Sequence, residues 1–353
     1  MAEQGTNPTA DDRPNATIRH TPEDFVVDEL PAYAPTGAGD HVFLHLKKRG
    51  LTSLELVRRL AEAAGVAKDD IGVAGMKDRH AVTTQWISIP WRDDLEDLKA
   101  RIELEDVELL ALDRHGHKLR TGHLRGNRFT LTLRELSPGA TPAITRGLER
   151  LAANGVPNAF GPQRFGRDGT LGDEATAWVR GERRPPKDKR KRRLWFSSFQ
   201  SKLFNIILSM RLDTGTLTTA LVGDVVRKHD TGGMFTVAPE DAEDAAARAA
   251  SGRLSATGPM FGAKMRWPEG PVAALEREVL AEAIGETDLG PFKRYGEGTR
   301  RSLRFMLESL DIQSGDGDEH LTVSFVLPKG AYATTVLSEV CRWTDPHRPS
   351  RET

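Results

Sequence analysis

An α+β fold, with a mixed and largely antiparallel sheet interrupted by a more helical insert, is the architecture this sequence predicts. Three observations predict it. Short β-branched and aromatic runs cluster at both ends of the chain, helical patterns fill the stretch from about Val156 to Arg304, and 353 residues suffice for two or three domains of the usual ~100–200 residues.

The elements follow in order. Phe25–Leu30 (FVVDEL) and His41–Leu46 (HVFLHL) read as two strands joined by a loop, flanked by Pro31, Pro35, Gly37 and Gly39. Thr52 and Glu55 fit a capping box; Leu56, Val57, Leu60, Ala61 and Ala64 then share one helical face until Gly65 stops the helix. Ile71–Ala74 and Thr84–Ile89 read as strands around the polar segment Gly75–Thr83, where a sheet presents a functional loop. Phe129–Leu133 (FTLTL) alternates, with Phe129, Leu131 and Leu133 on one face. Thr141 as N-cap and Pro142 at the first helical position open a helix carrying Ile144, Leu148 and Leu151, ended by Gly155. Lys202–Leu212 and Asp241–Ala250 read as helices and Asp230–Gly233 as a turn. Leu321–Leu327 (LTVSFVL) alternates again, and Thr334–Arg342 reads as a helix. Residues 1–17 and 346–353 read as loose ends. The simplest arrangement is a discontinuous domain, residues 18–155 and 305–345, around an insert at 156–304; pattern alone also allows three consecutive domains.

Composition excludes several classes. Cys341 is the only cysteine, so neither an intramolecular disulfide nor a cysteine zinc site is possible, which suits a reducing cytoplasm. No stretch approaches the ~18 consecutive apolar residues of a membrane span, and the opening residues lack the features of a secretory signal. A soluble protein is expected. The chain has no phosphate-binding loop, no His-Glu-x-x-His zinc motif and no Gly-x-Ser-x-Gly elbow, which gives metal and nucleotide-cofactor enzymes low priority; His115 and His117 read as surface residues. The net charge of −1 hides a segregation: Arg183–Arg193 (RRPPKDKRKRR) holds eight basic residues and one acid, and Pro239–Asp244 reads PEDAED. The basic run is a candidate phosphate-contacting surface or simply a solvated loop.

Three constellations could carry chemistry. In Gly72–Ile89 the single carboxylate Asp78 stands beside Lys77, Arg79 and His80. Aspartates have a reference pKa of ~3.9 and nearby cations favour the charged form, so this one reads as a carboxylate at pH 7, suited to a nucleophile rather than a general acid. Capping a turn or pairing with Arg79 explains it as well. In His115–Leu131, Lys118, Arg120, Arg125 and Arg128 surround Asn127 and Phe129. Cations hold phosphates, an amide reads a base edge and an aromatic stacks for ~1–3 kcal/mol, although Phe129 shares its strand face with Leu131 and Leu133 and so also fits the core. Gly155–Gly169 combines Gly and Pro with Gln163, Arg164 and Arg167; it could fork onto phosphates or serve as a tight connector.

Six segments together resemble the TruD family of tRNA pseudouridine synthases: PEDFVVDELP, AGMKDRHAVTTQ, KLRTGHLRGNRFTLTLRE, GVPNAFGPQRFGRDG, LFNIILSMRL and LPKGAYATTVLSE, in consistent order across nearly all of Ile18–Arg342. The resemblance implies a pseudouridine synthase catalytic domain interrupted by an α/β TruD insert, with tRNA in the cleft between them, no membrane partner and a monomer. It implies isomerisation of a uridine, at position 13 of tRNA in the family, with no metal, nucleotide or redox cofactor. Asp78 falls at the position of the catalytic aspartate, attacking the sugar or assisting a glycal route. Asn127 and Phe129 match positions that hold and stack the target base, Phe25 matches another substrate contact, and Tyr332 stands where relatives usually carry Phe. Arg19 falls where the family places a basic residue, often Lys, to pair with the aspartate. Lys77, Gln163 and Arg164, inside matched segments, are expected substrate contacts. The rival class is an RNA-binding or RNA-folding protein without chemistry; a carboxylate hydrolase lacks an evident second carboxylate.

Overall fold

Alternating runs from opposite ends of the chain pair with one another, because each buries only one face and needs a neighbour for its backbone. A computed structural model describes residues 12–92, 94–166, 168–315 and 319–347. Its first half runs β1 (Asn15–Thr17), β2 (Phe25–Pro31), β3 (His41–Arg49), α1 (Ser53–Ala64), β4 (Gly72–Val73), β5 (Val82–Pro90), α2 (Leu95–Arg101), β6 (Val107–His115), β7 (Leu124–Arg134) and α3 (Ala140–Asn154). There follow β8 (Val156–Pro157), α4 (Leu171–Val179), α5 (Lys189–Asp213), β9 (Val225–Lys228), β10 (Met234–Thr236), α6 (Ala242–Ala250), β11 (Leu254–Met260), α7 (Gly270–Ile284), β12 (Thr299–Ser302) and β13 (Arg304–Phe305). The chain closes with β14 (Glu308–Ser314), β15 (His320–Pro328), α8 (Ala333–Val340) and β16 (Arg342–Thr344).

Two compact units result, one running to Arg150 and resuming at Leu307, the other spanning Leu151–Met306. The first is built on a sheet of order β14-β15-β7-β2-β5-β3-β6, antiparallel except where β2 runs parallel to β5. Along β7, Phe129, Leu131 and Leu133 are buried, while Thr130 and Thr132 meet Ser324 and Thr322 of β15 through their hydroxyls at 3.2 and 3.4 Å. Helix α1 starts on Thr52, whose hydroxyl accepts from the Glu55 amide at 3.1 Å, and ends at Gly65, which takes the left-handed φ of 65° that costs glycine least. Its face of Leu56, Leu60, Ala61 and Ala64 packs on Val42, Leu44 and Leu46 of β3 and Ile87 and Ile89 of β5.

The second unit surrounds α5, whose Phe196, Phe199, Leu203, Phe204 and Ile207 pack with Trp178, Val279, Ala256 and Met260. It also contains a four-stranded sheet of order β10-β9-β11-β12, so it is α/β rather than mainly helical. Strand β11, read LSATGPM, carries a Gly and a Pro that mask its period, although all seven residues are buried.

Other expectations change. Residues 15–17 belong not to a loose tail but to a strand whose partner is β16, where the sequence pattern continued a helix to Arg342; residues 1–11 and 348–353 lie outside the described residues, as does Arg167. Helix α3 begins at Ala140, ahead of the expected Thr141 cap. The basic run is only partly loop, since Lys189–Arg193 form the opening of α5, capped by Asp188 accepting from the Lys191 amide at 2.8 Å. His115 is buried, stacked on Tyr33 at 5.1 Å with Phe43 at 4.5 Å, and burial pushes its pKa below the usual histidine value.

Candidate active site

The β4–β5 loop carries Asp78, and the segments beside it pin the loop at several atoms. The Lys77 amide donates to Ser53 Oγ at 2.8 Å, Lys48 Nζ to the Asp78 carbonyl at 2.9 Å, Arg79 Nε to the Gly50 carbonyl at 3.3 Å, and the Gly122 amide to the Ala74 carbonyl at 2.8 Å. Strand alternation explains Lys48: it shares the inward face of β3 with Leu44 and Leu46, so its ammonium must find acceptors inside. It finds Asp78 O and Leu51 O, the second at 2.5 Å. Burial pushes its pKa down to about 8, opposed by the charge of Asp78 and reinforced by Lys77.

The Asp78 side chain itself is 62 % exposed, and its Oδ2 accepts from Arg19 at 2.7 Å. Arg19 is held from the other side too, donating to Asp345 Oδ2 at 2.8 Å, and Asp345 is only 5 % exposed. Between these two carboxylates the guanidinium lies 3.8 Å above the Phe25 ring. Its φ of 56° is unusual for a residue with a Cβ, the kind of strain that folded proteins keep at sites of function. Below Phe25 the aromatics continue, edge-on to Phe129 at 6.3 Å and then to Phe325 at 6.0 Å. A cation flat on a ring is worth ~0.5–2 kcal/mol, so Phe25 helps fix the group that holds Asp78.

Two of the rings expected to meet substrate are covered: Phe25, the expected further contact, is buried under Arg19, and Phe129, the expected stacking ring, is buried beside it. Tyr332, at the entrance of α8, is instead 63 % exposed. Asn127 is half-buried on β7, and its Oδ1 has no hydrogen-bond partner among the described residues. Lys77 differs from expectation as well, for its ammonium is buried and pairs with Glu29 Oε2 at 2.6 Å, while Glu29 Oε1 accepts from the Trp86 amide at 3.0 Å. Gln163 and Arg164 belong to the second unit, in a short helical turn where Arg164 lies 5.2 Å from the Phe160 ring.

Sequence reasoning missed Lys48, Glu29, Ser53 and Asp345. Only Ser53 left a signal, sitting just after the Thr52 cap; Lys48 sits in the charged run KKR, and Asp345 is the last residue before the expected loose end. Among the described residues no group of three or more His, Cys, Asp or Glu is placed to hold a metal, and no helix is long and apolar enough to cross a membrane.

The mixed sheet presents an exposed carboxylate, clamped by an arginine above an aromatic ladder, at the position where the resemblance to pseudouridine synthases expects the catalytic aspartate. Comparison with known proteins makes this particular. The sequence model of tRNA pseudouridine synthase D (TruD) matches residues 8–172 and 187–340. A tRNA pseudouridine synthase D of Anaeromyxobacter dehalogenans is 43 % identical over 331 residues, covering 92 % of each chain. One of Thermus thermophilus is 42 % identical, covering 92 % of this chain and 88 % of its own. A crystal structure from Methanosarcina mazei described as a tRNA pseudouridine synthase D superposes with a TM-score of 0.74 at 25 % identity, covering 95 % of this chain and 96 % of that one. The chain belongs to the TruD family of tRNA pseudouridine synthases.

Proposed function

We propose that this enzyme isomerises a uridine of tRNA, at position 13 as in the family, with Asp78 as its nucleophile. The observation that carries the reading is Asp78 itself, exposed to a substrate yet fixed through Arg19 and through its own carbonyl. A carboxylate oxygen attacks C1′ of the ribose, or assists a glycal route, and the C1′–N1 bond breaks with its electron pair on the uracil. The base turns and C5 attacks C1′, displacing the carboxylate; the C5 proton leaves to solvent and N1 takes up a proton from solvent, giving neutral pseudouridine.

The neighbours have separate tasks. Arg19 keeps Asp78 aimed, and Asp345 keeps Arg19 in place. Tyr332 offers an open ring to the base, with Phe25 and Phe129 supporting the site from beneath. Asn127 Oδ1 accepts the imide N–H of uracil, relieving a buried acceptor whose lack of a partner costs about 1–3 kcal/mol. Lys77 acts through Glu29 to hold the loop rather than by touching RNA. Arg164 and Gln163 contact the RNA backbone, as does the opening of α5, where Lys189, Arg190, Lys191 and Arg193 are exposed and stacked against the positive end of the helix dipole. The enzyme works as a cytoplasmic monomer.

Tritium release from C5 of uridine-labelled tRNA tests the chemistry. Wild type should release tritium, and Asp78→Asn should not, while binding tRNA within a few fold. Normal turnover by Asp78→Asn would sink the nucleophile, and tight tRNA binding without release by wild type would leave an RNA-binding protein. Replacing Lys189, Arg190 and Lys191 with Gln should reduce the salt slope of binding by up to about 0.7–0.9 per lost phosphate contact; an unchanged slope removes α5 from the interface.

A further inference from the structure

Large apolar side chains on a surface normally occur singly, and a concentration of them marks something to be covered. Among the described residues the three most exposed are Leu54 at 71 %, Tyr332 at 63 % and Met76 at 59 %. All three stand on segments around Asp78. Met76 is two residues before it in the same loop. Leu54 opens α1, and the segment that leads into it is bonded to the Asp78 loop at three points: Ser53 Oγ to the Lys77 amide, Lys48 Nζ to both Leu51 O and Asp78 O, and Arg79 Nε to Gly50 O. Tyr332 follows Lys329, whose amide donates to Arg125 O and whose ammonium donates to Gly122 O, while the Gly122 amide donates to Ala74 O.

These bonds matter because they make the exposure costly to relieve. A loop held at Ala74, Lys77, Asp78 and Arg79 cannot fold Met76 inward, and Leu54 is fixed by the first turn of a capped helix. Polar residues would sit in both places at no cost to the fold. Exposed Arg79 and Arg120 stand on the same segments, beside the carboxylates Asp78 and Glu55 and an Arg125 paired with Glu308; cations that can reach phosphates next to apolar side chains that can meet base faces favour an RNA strand over an apolar protein partner.

We propose that Leu54 and Met76 form an apolar wedge that packs against the nucleobases flanking the target uridine and holds the strand open while that uridine is everted over Asp78. The inference rests on the isomerase reading and adds to it the residues that drive eversion. Extracting a base costs stacking free energy, and side chains that fill the vacated space offset part of it, as apolar wedges do between base steps elsewhere. Tyr332 then meets the everted base while Leu54 and Met76 meet the bases left behind.

The experiment compares two RNAs with the full-length enzyme. One is folded tRNA; the other is a transcript carrying the same target in an unpaired, unstacked context. Tritium release gives kcat/KM for each, and 2-aminopurine beside the target reports unstacking. Leu54→Ser with Met76→Ser should lower kcat/KM on folded tRNA at least tenfold, should lower it at least fivefold less on the open transcript, and should reduce the fluorescence rise. Met76→Leu, which keeps the apolar volume, should stay within threefold of wild type on both RNAs. An unchanged kcat/KM on folded tRNA, or an equal loss on both RNAs, overturns the wedge. Failure of wild type to release tritium from either RNA would instead overturn the isomerase reading.

Discussion

Two ion pairs leave the β4–β5 loop from adjacent residues and have opposite surroundings. Asp78 meets Arg19 at 2.7 Å with its carboxylate mostly in solvent, whereas Lys77 meets Glu29 at 2.6 Å with both side chains almost wholly buried. Length does not separate them; burial does. A buried pair that loses one partner strands the other charge in a medium of low polarity, while an exposed pair yields one partner to water at little cost. One strand-edge loop therefore uses neighbouring charges for different ends, the inner pair to hold position and the outer carboxylate to stay available.

The contrast can be broken at several points. Asp78→Asn should lower kcat by about 10⁴-fold or more with thermal stability unchanged, since the residue is exposed; a large drop in melting temperature would show that it is structural after all. Lys77→Met should do the reverse first, costing about 3–5 kcal/mol in urea unfolding by leaving Glu29 unpaired, and adding Glu29→Leu should recover part of that loss. A stability loss below about 1 kcal/mol would mean that the pair is not sealed from water. Asp345→Asn should lower kcat by about ten- to hundredfold with KM little changed, because Arg19 loses its second anchor and Asp78 its alignment; an effect confined to KM would reassign Asp345 to substrate binding.

The smallest effect expected is a pH slope. Lys48 has its pKa lowered from the usual 10.5 to about 8 by burial, so the folded protein gives up this proton first. Between about pH 8 and 10.5 the unfolded chain binds more protons, and the Lys48 contribution makes stability rise with pH there. Lys48→Met should remove that rise from the difference between the two stability curves measured by urea unfolding. Parallel curves for wild type and variant would place the ammonium in water.

Much of the frame was legible because its causes are local. FTLTL and LTVSFVL alternate with the period of a half-buried strand, and both are strands, paired so that Phe129 faces Phe325 across the ladder. The Thr52 cap and the Gly65 stop bound α1 as their chemistry requires. Where local chemistry was ambiguous, reading failed: β11 hides its strand behind a Gly and a Pro, and β16 exists only because β1 lies alongside it. In the candidate site, the cationic segments drew attention to Asp78 and Asn127, and the family resemblance added Arg19 and Phe25. It could not show that Phe25 and Phe129 are covered or that Lys77 is sealed against Glu29.

The sequence by itself determined which segments alternate, which residues cap and stop helices, and which loop bears a lone carboxylate among cations. Those properties depend on neighbours a few positions away. Only the tertiary structure decided which charges are buried and with whom: Asp345 reaches Arg19 from 326 residues away, Glu29 reaches Lys77 across 48, and Lys48 reaches the Asp78 carbonyl across 30. Burial of a charge is set by what folds over it, and a charge so covered must find its partner in space rather than along the chain.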